Sequence, residues 1–136
     1  VEIATVSFPI KQFPGNLEES NYFQFFCAKT TLQLSGLFGS TFWSQKVLQA
    51  CVSQPAIWHA AVAVASLHQE RTATICKVAG EDGALSSFTL SQYVKAMQHL
   101  RRLYQKNGMP AAEVVLLCCV LFICFEASRV SLPLSR

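Results

Sequence analysis

Apolar and polar positions along the chain recur at helical spacing in five segments, and no run alternates with period two long enough to make a strand. Residues 1–17 carry Pro9, Pro14 and Gly15 without a helical period and read as an extended lead-in or linker. Glu18 and Glu19 place negative charge at the start of the first helix, where its dipole favours it, and Gly36 is expected to end it. Tyr22, Phe26, Lys29 and Gln33 follow one edge of that helix. Phe23, Phe26, Thr30, Leu34 and Leu37 follow the next, so its apolar face is broad. Ser40 can cap a second helix, in which Trp43, Val47, Ala50 and Cys51 share a side. Pro55 opens a third after Ser53 as its cap. This third segment, AIWHAAVAVASLHQE, is small on nearly every face and is expected at the centre of a bundle, where neighbours approach closely.

Residues 71–86, with Gly80, Glu81, Asp82 and Gly83, interrupt the pattern and read as a long loop. The fourth helix spans Ser87 to Lys106, with Tyr93, Ala96, Met97, Leu100, Leu103 and Tyr104 on one side. Lys95, His99, Arg102 and Lys106 follow the opposite side at steps of four, three and four. Asn107-Gly108 ends it, and Pro110 opens a fifth helix. The apolar run of that helix, Val114 to Phe125 between Glu113 and Glu126, is far short of the about 20 residues that cross a bilayer. The fold class is all-α, a bundle of about five helices.

Composition narrows the function. The 136 residues can bury a sizeable core as one domain. With 51% hydrophobic and 14% charged residues, part of the apolar surface is expected to meet something else. A net charge of +3 does not argue for nucleic acid. The six cysteines, at 27, 51, 76, 118, 119 and 124, include no C-x2-C pair and read as reduced, buried small hydrophobes of an intracellular protein. No signal peptide is visible, and the initial Val1 suggests a chain that begins inside a longer product.

Candidate chemistry is sparse. His59 and His68 lie nine residues apart, off a common helix face; His68 falls in the stripe Ile57, Ala61, Val64, His68 and reads as a histidine hydrogen-bonded to a neighbouring helix. The acidic pairs Glu18-Glu19 and Glu81-Asp82 sit at boundaries expected to be exposed. No nucleophile elbow, phosphate loop or H-E-x-x-H motif is present, and no catalytic, cofactor or metal residues are assigned. The basic stripe Lys95, His99, Arg102, Lys106 reads as a solvated face or as one that meets an acidic partner. Seven of the fifteen aromatic residues stand between Tyr22 and Trp43, and only Lys29 and Lys46 accompany them. Base stacking needs rings interleaved with cations, so Phe23, Phe26, Phe42 and Trp43 read as core or as the wall of a small-molecule pocket.

Four blocks in order, YFQFFCAKTTLQLSGLFGSTFW, VLQACVSQPAIWHAAVAVASLHQE, FTLSQYVKAMQHLRRL and LLCCVLFICFEA, resemble the regulatory (middle homology) domain of fungal zinc binuclear cluster transcription factors. The likeness covers about Phe13 to Ala127. It implies a helical regulatory fragment over 18–127, C-terminal to a DNA-binding head, nuclear, non-enzymatic, and receptive to protein partners or a small-molecule effector. Two departures stand out. The head's C-x2-C-x6-C zinc pattern is not in this sequence, so zinc is expected only in a separate DNA-binding domain and no direct nucleic-acid contact is expected here. After Glu126 the family continues through further helices, whereas residues 128–136 end in SRVSLPLSR, a divergent tail expected from a truncation, an unspliced intron or a frameshift. Apolar surface left bare on the third and fifth helices is then expected to meet relatives or a second copy. The rival reading is a small helical ligand carrier or enzyme built on the aromatic pocket. No membrane role is expected.

Overall fold

The computed structural model describes residues 15–76, 86–107 and 112–129, all of them helices and their junctions, with no strand among them. Helix α1 covers residues 17–38. Asn16 caps it: its side chain accepts from the Glu19 amide at 2.8 Å while the Glu19 carboxylate accepts from the Asn16 amide at 3.1 Å. The helix is α-helical over Leu17–Phe25, widens to a π-helix over Phe26–Thr30, and is α-helical again over Thr31–Phe38. Gly36 does not end it. Gly39 does, at φ 92°, a left-handed conformation that favours glycine.

Helix α2, residues 40–53, is π-helical over Phe42–Val47 and α-helical over Leu48–Ser53, burying Trp43, Val47, Leu48 and Cys51. Ser53 turns its hydroxyl back to the carbonyls of Gln49 and Ala50 instead of capping the next helix. Extended Gln54 makes that junction, its carbonyl accepting from the amides of Ile57 and Trp58. Helix α3 then runs over Pro55–Cys76. It outlasts the expected loop start at Arg71, and the Thr72 hydroxyl bonds back to the carbonyl of His68. The rest of that loop, with Gly80 to Gly83, lies outside the described residues, as do the lead-in to residue 14, Pro110 and the tail from 130.

Helix α3 is central, as its small side chains imply: residues 56–67 are all buried. Ala and Val there let α4 (Ser87–Asn107), α5 (Ala112–Arg129), α2 and α1 pack on it from several sides. Helix α5 contributes Leu117, Cys118, Leu121, Cys124 and Phe125 to the core and leaves Leu116, Cys119 and Ile123 exposed.

Helix α4 is rolled relative to the expected orientation. Its buried residues are Thr89, Gln92 and Ala96, flanked by half-buried His99, Leu100 and Leu103, whereas Met97 and Tyr104 face out with Leu90 and Val94. The polar groups win the seam because α3 and α1 supply partners for them. Ser66 and Thr89 share a 2.6 Å hydrogen bond, and Thr89 also donates to Glu70 at 2.8 Å. Ser86 caps the helix, accepting from the Thr89 amide. The bare surface expected on α3 and α5 therefore belongs to α4 and α5. No helix among the described residues is long and apolar enough to cross a membrane.

Candidate functional site

The densest polar assembly sits where α1, α3 and α4 meet, around a carboxylate that sequence placed at the surface. Glu19 is 3% exposed. Its position in the first turn of α1 is fixed by the Asn16 cap, which turns the side chain inward toward α3. One carboxylate oxygen accepts from the Asn16 amide and, at 3.4 Å, from the indole N–H of Trp58. The other accepts from Gln92 Nε2 at 2.7 Å and from Lys95 Nζ at 3.5 Å. Gln92 uses both ends of its amide, since its Oε1 accepts from His59 Nδ1 at 2.7 Å. His59 Nδ1 itself lies 3.7 Å from the Glu19 carboxylate.

Burial pushes the Glu19 carboxyl up. The bonds from Gln92 and the Asn16 amide, the charge of His59 and the Trp58 N–H outweigh it and hold the group below the ordinary carboxylate value. Gly15 is required by the same closeness: a Cβ there would overlap the Glu19 carboxylate and the Trp58 indole. The whole cluster is a polar clasp that ties three helices at one end of the bundle.

The basic stripe starts at this clasp and continues outward. Lys95 leans on Glu19, and the His99 ring stacks on His59 with centroids 5.2 Å apart and planes 12° apart. His99 thus lies against the buried seam and not opposite it. Burial lowers its pKa, and His59, Arg102 and Lys95 lower it further. Beyond it, Arg102 and Lys106 are exposed and border an open cleft of about 200 Å³. The cleft lies between Gln54, Pro55 and Ala56 at the start of α3 and His99, Arg102, Leu103 and Lys106 on α4.

The aromatic quartet lies elsewhere. Phe23, Phe26 and Trp43 are fully buried, and half-buried Phe42 meets Trp43 edge-on with centroids 5.2 Å apart. Phe23 tilts against Trp58 at 4.7 Å. These rings fill the core between α1, α2 and α3. His68 is half-buried, bonded through Nδ1 to the Thr30 hydroxyl at 3.0 Å and met edge-on by Phe25. Burial, then Lys29, lower its pKa.

The free cysteines are mostly inert. Burial raises Cys27 and Cys118 to about 12 and Cys124 to about 11, and Cys51 is raised as well. Cys119 is exposed, contrary to its neighbours. Among the described residues no three of His, Cys, Asp and Glu converge as metal ligands would.

The model of the fungal specific transcription factor domain matches residues 20–131. The chain belongs to that family. No curated protein and no solved structure matches it. As a fungal transcription factor domain it has a regulatory role in transcription, in keeping with the resemblance drawn from the four sequence blocks. Sequence reasoning missed Glu19 and Gln92 as the heart of the polar clasp. The spacing Asn16-x-x-Glu19 marks a capping box, which signals the helix start but not its burial. Nothing in the sequence singles out Gln92, a neutral amide on a helix rich in polar residues.

Proposed function

We propose that this fungal transcription factor domain is a non-enzymatic, nuclear interaction module that modulates transcription by contacting another protein, either a second copy or a relative carrying the same domain. The observation that carries this reading is the apolar surface on the outside of the bundle. On α4, Leu90, Val94, Met97 and Tyr104 stand exposed along one stripe; on α5, Leu116 and Ile123 are 63% and 67% exposed. Large apolar side chains exposed at helical spacing, as on these two helices, are what a helical partner buries.

DNA contact falls, in this reading, to a zinc cluster outside the present sequence. The net charge is only +3, and among the described residues Lys46 pairs with Glu113 at 3.5 Å and Lys95 with Glu19, while the run Arg101, Arg102 and Lys106 on α4 is short for a phosphate track.

The test joins two measurements. The chain is tethered to an unrelated DNA-binding domain over a reporter in a fungal host, and its association state is followed by light scattering at tens of micromolar. The triple change Leu90→Ser, Val94→Ser, Ile123→Ser is expected to alter reporter output and to shift the protein to a monomer. A parent chain that is already monomeric, with output indifferent to the three changes, would overturn the reading.

A further inference from the structure

The cleft at the start of α3 has a composition that the interaction reading leaves unused. Pro55, Ala56 and Leu103 give it apolar walls, and Arg102 and Lys106 stand at its rim. Among the described residues no carboxylate lines it. Glu19, which His99 approaches through His59 and Gln92, is engaged with Lys95. Neither Arg102 nor Lys106 forms a hydrogen bond or ion pair within the described residues, so their charge is directed at whatever enters. A cavity of about 150 Å³ accepts benzene, and this one, at about 200 Å³, has room for one ring and one charged group.

We propose that this cleft binds a small organic carboxylate, a single ring or short branched chain whose apolar part lies on Pro55 and Leu103 and whose carboxylate meets Arg102 and Lys106. Apolar walls beside a cationic rim favour an amphipathic acid over an inorganic anion, which would gain nothing from Pro55 and Leu103. Two exposed cations on one short helical stretch also fall short of the track that a nucleic-acid backbone requires.

The site is connected to the rest of the molecule through His99, which forms the inner wall and stacks on His59. His59 bonds Gln92, and Gln92 bonds Glu19, so a ligand in the cleft borders the clasp that joins α1, α3 and α4. The charged groups around His99 are His59, Arg102 and Lys95, all disfavouring its protonation. A bound carboxylate opposes them and favours imidazolium. This deepens the regulatory reading by giving the module an effector site, distinct from the apolar face that meets a partner.

Benzoate is the probe, titrated into the full 136-residue chain at constant ionic strength and pH 7 while the ring signals of His99 are followed by proton–nitrogen NMR. Saturable shifts with half-saturation on the order of 1 mM are expected for so small a ligand. Arg102→Gln should weaken binding about tenfold, the scale of one lost charge-assisted bond. Arg101→Gln, on the exposed side of the same helix, should leave it unchanged, and benzyl alcohol, lacking the charge, should bind about tenfold more weakly. Two results would overturn the proposal: benzoate shifts no larger than those from equal chloride or benzyl alcohol, or equal weakening by the two arginine changes. Neither result touches the interaction reading, which is measured by the reporter and by light scattering on Leu90, Val94 and Ile123.

Discussion

Helix α3 is walled by α4 on one flank and by α5 on another, and the two seams are built from different chemistry. Toward α5 the seam is Leu117, Cys118, Leu121, Cys124 and Phe125, apolar and indifferent to small slips. Toward α4 it carries Ser66 bonded to Thr89, and His59 bonded to Gln92, which reaches on to Glu19. Apolar packing supplies the larger share of burial energy, because area removed from water is what it counts. Buried polar pairs add little net energy and penalise every arrangement but one, because a slipped helix leaves donors and acceptors unmet. One seam gives α3 its stability and the other gives it its register.

The sharpest way to break this comparison is a matched pair of substitutions. Gln92→Met keeps the volume but takes one hydrogen bond from the Glu19 carboxylate and one from His59, and is expected to cost about 3 kcal/mol in chemical denaturation. Gln92→Glu, which sets a second carboxylate beside Glu19 in place of a donor, should cost at least as much; a Gln92→Glu variant as stable as the parent would sink the idea that the amide's donor matters. Gly15→Ala comes next, at about 2 kcal/mol, since its Cβ must push the carboxylate off the Trp58 N–H. Quenching or a shift of the Trp58 emission reports that displacement directly.

Acidification probes the polar contacts of α3 with both α1 and α4 without mutation. His68 and His99 have lowered pKa values in the fold, so the unfolded chain takes up their protons first. The stability they contribute is complete above about pH 6.5 and declines as pH falls toward their folded values. Glu19, also lowered, adds a second decline as the pH falls through the ordinary carboxylate range toward its folded value. Thermal melts should therefore fall in two stages between pH 7 and 3; a melting temperature flat across that range would contradict both shifts. The smallest effect belongs to the apolar seam, where the volume-conserving Leu121→Met should cost under about 1.5 kcal/mol. A loss equal to that of Gln92→Met would erase the distinction between the seams.

The five helices were legible because their apolar residues repeat and because Pro55 marks a start with little ambiguity. The family was legible too, in the four ordered blocks. The orientation of α4 was not. Reading Met97 and Tyr104 as inward rests on hydrophobicity, and it fails where Thr89 and Gln92 find partners that only the third dimension supplies. The π turns hid a second detail. Thr31 bonds back five residues to Phe26, so an extra residue enters the turn and the stripe shifts, burying Thr31 while Lys29 and Gln33 stay exposed. Glu19 escaped because an acid in a first turn has a sufficient reason at the surface, the helix dipole, and its second reason lies 73 residues away in Gln92. The cleft beside His99 is likewise made by two segments far apart in sequence.

The complete burial of residues 56–67 also sets an order of events during synthesis. When α3 leaves the ribosome, α1 and α2 are the only two of its four helical neighbours already made, and its flanks toward α4 and α5 stay wet until the chain has grown past residue 125. For that interval a helix that ends up wholly covered over residues 56–67 is open to chaperones and to neighbouring nascent chains.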